Sequence, residues 1–124
     1  MIGEIRKTML PFYDTRARRM SIKSRPALII AKADTDDYVA LPVSRITKQE
    51  NRDSKYDVEV DPQIYSMLNL TSVSYVRTHK QTIVNASNMG SMIGDMKGNY
   101  DELYLHILEL REEFSAEITN QAIN

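Results

Sequence analysis

Lys23-Ser24-Arg25-Pro26-Ala27-Leu28-Ile29-Ile30, answered by Tyr38-Val39-Ala40-Leu41-Pro42-Val43-Ser44-Arg45-Ile46, is the stretch whose reading decides the fold. Each half is a short apolar run of the kind that fills a buried strand. The polar residues Lys32 to Asp37 between them turn the chain. The two runs therefore predict a hairpin crossing the core. An antiparallel pair returns to its starting end, so Arg25 enters and Ser44-Arg45 leave at one rim, bringing a basic side chain beside a hydroxyl.

Working towards the N-terminus, Gly3 to Leu10 reads as a first strand that Pro11 ends by removing a ladder donor. Residues 12–22 are largely polar and basic, with the aromatics Phe12 and Tyr13 at their start, and predict a long mobile loop. Towards the C-terminus, Thr47 to Lys55 is an exposed loop. Tyr56-Asp57-Val58-Glu59-Val60-Asp61 alternates strictly, which predicts a half-buried strand stopped by Pro62. Gln63 to Leu68 forms a short helical turn. Ser72 to Thr78 and Gln81 to Val84 are strand-like, and Met89 to Asp95, punctuated by Gly90 and Gly94, is a connector. Asn99 then caps a helix over about 99–118, with Glu102 three residues on and Leu103, Ile107, Leu110, Phe114 and Ile118 as its apolar stripe.

Composition narrows the function. At 124 residues the chain predicts a single domain, 1–124, with one core. Absence of cysteine removes disulfides and thiolate metal sites, and His79 and His106 alone make a poor zinc set, so neither metal nor cofactor is expected. Neither a membrane span nor a signal-peptide layout is found, which predicts a cytoplasmic protein. Net charge is only -1, yet residues 1–25 hold seven basic side chains against two acids. Residues 99–124 hold six acids against Arg111. A basic N-terminal face of this kind attracts phosphates.

No single motif fixes a chemistry, but their order does more. Gly3-Glu4-Ile5, Leu10-Pro11-Phe12, the Arg25-to-Ile30 block, Ser44, Ser74-Tyr75-Val76-Arg77 and Ile93-Gly94-Asp95-Met96 follow one another as in the MazF/PemK/Kid toxins of bacterial toxin–antitoxin modules. The chain resembles that family over roughly residues 3–115. The resemblance implies an α+β, mainly β fold: an SH3-like barrel over about 3–96 with a C-terminal helix, paired as a homodimer. It implies a sequence-specific, metal-independent endoribonuclease acting on single-stranded RNA and neutralised by a cognate antitoxin. Arg25, Ser44 and Arg77 then fall on the family's catalytic positions. His79 stands where related toxins carry an acid, and an imidazole can transfer a proton in its place. Tyr13, Arg16, Arg18, Arg19, Lys23 and Lys80 would hold RNA, Tyr13 by stacking. Two other readings compete: a catalytically weakened RNA- or protein-binding module, and a gyrase poison of the same fold, ranked last because the chain has no tryptophan.

Overall fold

The computed structural model describes residues 1–124. Seven strands lie in chain order: β1 (Glu4–Asp14), β2 (Arg19–Lys32), β3 (Asp37–Ser44), β4 (Asp57–Val60), β5 (Ser74–Arg77), β6 (Thr82–Asn85) and β7 (Met89–Asp95). A short α1 (Met96–Asn99) and a long α2 (Asp101–Ile123) close the chain. All pairings are antiparallel, in the order β4-β5-β3-β2-β1-β7, with β6 added to β3. The sheet curls into a half-barrel, and the first turns of α2 pack into its core through Leu103, Tyr104 and Ile107.

The central hairpin forms as its apolar runs predict, with Ala27 opposite Pro42, Leu28 opposite Leu41 and Ile29 opposite Ala40. Its residues do not alternate because both faces are covered. Leu28, Leu41 and Val43 enter the main core with Ile5, Val60, Leu68, Val76, Met96 and Ile107. Ala27, Ile29 and Ala40 pack with Val84 in a second, smaller cluster. β3 is the hub. Along one edge it pairs with β2; along the other, Asp37–Ala40 pair with β6 and Val43–Ser44 with β5.

Several sequence expectations are corrected. Pro11 does not end β1: it sits opposite Ile22, inside a strand that runs on to Asp14. β7 pairs with β1 only as far as Thr8, so Pro11 lies where β1 is an edge, and the missing donor costs the ladder nothing there. Residues 12–22 are accordingly a projecting two-stranded ribbon and not a loop. At its tip Asp14 Oδ1 accepts the backbone N–H groups of Arg16 and Ala17, and Arg18 takes a left-handed φ of 53°. The 89–95 connector is strand β7, irregular in register.

Asn99 caps no helix. Asp95 caps α1 by accepting the Gly98 N–H, while Asn99 ends α1 and donates its side-chain amide to the Asp95 carbonyl. α2 starts at Asp101 and outruns the predicted 118, reaching Ile123. Its apolar stripe is buried only at the start: Leu103 and Ile107 are in the core, with Tyr104 beside them, whereas Ile118 is 51% exposed. The acidic side faces outward, with Glu113 and Glu117 near Lys55. No helix is long and apolar enough to cross a membrane.

Candidate active site

β2 and β3 part company after the Ala27–Pro42 pair. Beyond it β2 continues with β1 alone, Arg25 lying opposite Thr8, while the end of β3 crosses to β5, Ser44 lying opposite Tyr75. The divergence opens a cleft of two adjoining hollows. One, of about 360 Å³, is lined by Lys23, Ser24, Arg25, Pro26, Val43, Ser44, Arg45, Leu70, Thr71 and Ser74. The other is lined by Arg25, Ser44, Arg45, Ile46, Thr47, Asn51 and Arg77. Arg25, Ser44 and Arg45 belong to both.

Four cations line this cleft and no acid does. Lys23, Arg25 and Arg45 have no carboxylate partner. The Arg25 guanidinium lies 5.6 Å from the centre of the Phe12 ring, and its backbone carbonyl accepts the Thr8 hydroxyl at 2.8 Å, which ties this point of β2 to β1. Arg45 donates to the Thr71 hydroxyl at 2.8 Å. Arg77 is paired: its Nε lies 3.1 Å from Asp57 Oδ1, and its Nη2 donates to the Asn51 carbonyl at 3.1 Å. Two uncompensated guanidinium groups and the Lys23 ammonium around one hollow form an anion site whose ligand must bring its own charge.

The structure thus brings together Arg25, Ser44, Arg77 and Lys23 from the sequence reading. Tyr13, Arg16, Arg18 and Arg19 sit apart, exposed at the end of the β1–β2 ribbon. Lys80 is exposed beyond Arg77 and outside both hollows.

His79 is also outside them. Its side chain, 12% exposed, packs between the rings of Tyr56 and Phe114 at centroid distances of 5.9 and 6.0 Å. It lines a separate hollow with Thr78, Gln81, Arg111 and Phe114, under α2. Its Nδ1 has no hydrogen-bond partner and lies 3.8 Å from Asp57 Oδ1.

Burial pushes the His79 pKa below its ordinary value; Asp57 and Asp53 oppose that shift, and Arg77 and Lys80 reinforce it. The folded protein therefore holds His79 neutral where the unfolded chain, titrating near about 6.5, takes up a proton. Stability rises as pH climbs through that window and is lost as pH falls through it. Denaturant unfolding at pH 7 and pH 5 should show this slope, and His79→Gln should flatten it. An unchanged slope in the variant would assign the dependence to other groups.

The sequence reading named neither Arg45 nor Thr71 nor Asn51 as site residues. Arg45 had a usable signal, since it follows Ser44 directly at the strand exit. Asn51 and Thr71 come from loops whose approach to the cleft is set by tertiary packing.

No protein-family model matches the chain, and no curated protein matches it by sequence. Among solved structures it is similar to the Mycobacterium tuberculosis toxin MazF-mt6, with a TM-score of 0.63 at 16% identity, over 91% of this chain and 96% of that one. This chain has the MazF fold. At this identity the likeness is one of architecture: the curled antiparallel sheet and the helix after it correspond over nearly the full length of both chains. The MazF-type barrel and C-terminal helix expected from the order of the motifs are therefore what the chain forms.

Proposed function

We propose that the chain is a toxin-type endoribonuclease: a single MazF-type domain that cuts single-stranded RNA at specific sequences in the cytoplasm, pairs as a homodimer and is held in check by an antitoxin. The observation that carries this reading is the acid-free cleft, where Arg25, Arg45, Arg77 and Lys23 surround the Ser44 hydroxyl on a MazF fold. The RNA 2′-oxygen attacks the adjacent phosphorus, a 2′-O–P bond forms and the P–O5′ bond breaks, leaving a cyclic phosphate. Arg25 and Arg77 hold the charge that builds on the non-bridging oxygens, and Ser44 donates a hydrogen bond to one of them. No imidazole or carboxylate lines the cleft, so water takes the 2′-hydroxyl proton and supplies the one the 5′-oxygen gains.

That lack of a titrating partner is also the observation favouring the second reading, a module that grips RNA without cutting it. Incubating excess protein with an RNA and with its 2′-deoxy counterpart separates the two. The proposed function expects cleavage of the first, with a cyclic phosphate end, and binding without cleavage of the second. Tight binding of both with neither cut would overturn the endoribonuclease in favour of the binding module.

A further inference from the structure

Asp57 is the one charged residue in the buried interior, and its side chain is 0% exposed. It is the cross-strand partner of Arg77, β4 against β5. A buried carboxylate persists only when its lone pairs are taken up. Here Oδ1 accepts from Arg77 Nε at 3.1 Å, and Oδ2 accepts from Arg77 Nη2 at 3.4 Å and from the Asp53 backbone N–H at 2.7 Å. Asp53 in turn accepts the backbone N–H groups of Lys55 and Tyr56. The 49–57 loop is wound around these two aspartates, and the winding sets the Asn51 carbonyl on Arg77 Nη2 at 3.1 Å.

The guanidinium of Arg77 is thereby fixed through Nε and Nη2, and only Nη1 makes no hydrogen bond, in a residue that lines the cleft. The other cleft cations are free of carboxylates. Lys23 and Arg45 among them supply attraction for the ground-state RNA, whereas a donor held before the substrate arrives, as Arg77 is, needs no reorganisation when charge develops.

We infer that Asp57 is a positioning residue for RNA cleavage, acting through Arg77 by holding its guanidinium so that Nη1 meets the reacting phosphate. The inference rests on the endoribonuclease reading. A donor displaced by about 1 Å costs on the order of 100-fold in rate, and the free cations keep the RNA bound.

Asp57→Asn keeps the shape of the side chain and removes its charge. It should lower kcat by about 100-fold with little change in KM. It should also broaden the Arg77 Nε–Hε resonance and speed its exchange with water, read by NMR without RNA. In an Arg77→Gln background the same substitution should slow cleavage no further, because the group it acts through is gone. An Asp57→Asn protein with wild-type kcat, or one whose loss multiplies in full with that of Arg77→Gln, overturns the inference. Wild-type protein that cuts no RNA overturns the endoribonuclease reading instead. The Arg77 resonance then still decides whether Asp57 holds the guanidinium: a signal equally sharp and protected in Asp57→Asn shows that it does not.

Discussion

Replacing Arg25 with alanine is expected to slow single-turnover RNA cleavage by about 100-fold or more, the scale for removing one oxyanion partner. Arg25 lies where the two hollows of the cleft meet, has no carboxylate partner, and is fixed at its backbone by the buried Thr8. Affinity for a 2′-deoxy RNA should fall far less, since Lys23, Arg45 and Arg77 share the ground-state phosphate contacts. Arg18→Ala and Arg19→Ala make the contrast. Both side chains are exposed at the ribbon tip, outside the cleft. Their loss should weaken RNA binding and lower its salt dependence, leaving the rate at saturating protein unchanged. Equal losses of rate and affinity in Arg25→Ala would reduce Arg25 to a docking residue.

Gly94→Ala should destabilise the fold by about 1–3 kcal/mol, the range for forcing atoms into a packed interior. A Cβ at this position would stand 2.6 Å from Leu68 Cα and 2.9 Å from the Leu68 carbonyl oxygen, both backbone atoms that no rotamer change can move. Nor can the 66–68 turn yield easily. Asn69 binds it to β7 by donating to the Ile93 carbonyl at 2.8 Å, and the Tyr100 hydroxyl accepts the Met67 N–H at 3.0 Å. Gly90→Ala, on the same strand, is the control: its added Cβ would meet only the Lys7 side chain and carbonyl, no closer than 3.4 Å. Denaturant midpoints should separate the two variants clearly, and matching midpoints would rule out close approach as the reason for glycine at 94.

Gly94 also shows how much of the molecule could be read in its sequence. Gly90 and Gly94 signalled an irregular connector, because glycine marks both turns and close backbone approaches. Only the position of the 66–68 turn reveals that the second applies, and that residues 89–95 are a strand. The central hairpin was legible because its two apolar runs are buried on both faces, a local pattern with a global cause. Pro11 misled for the opposite reason. Its effect on a strand depends on whether that stretch is an edge, which pairing partners far along the chain decide. The cleft was legible in outline, since Arg25 and Ser44 each lie two residues past the last pair of one hairpin. The place of His79 was not, because two residues past Arg77 the strand has ended and the imidazole goes under α2 to meet Phe114. Asp57 was hidden by its own alternation: an acid between Tyr56 and Val58 reads as a solvent-facing position until Arg77 is found opposite it.

The parting of β2 from β3 gives the cleft one stiff wall and one compliant wall. Ser44 ends the strand at the centre of the sheet, paired with β2 as far as Pro42, with β6 along Asp37–Ala40 and with β5 at Ser44 itself, so moving it disturbs the part of the sheet that is costliest to open. Arg25 lies at the root of the ribbon, where β2 keeps β1 as its one neighbour and β7 leaves β1 after Thr8, and the two-stranded ribbon beyond that point opens at much lower cost. The distance across the cleft is therefore set by how far the ribbon is bent at any moment. On the endoribonuclease reading, a strand of RNA lying between Arg25 and Ser44 would close that spread of widths towards one value, and the ordering of the ribbon would be part of what its binding free energy must supply.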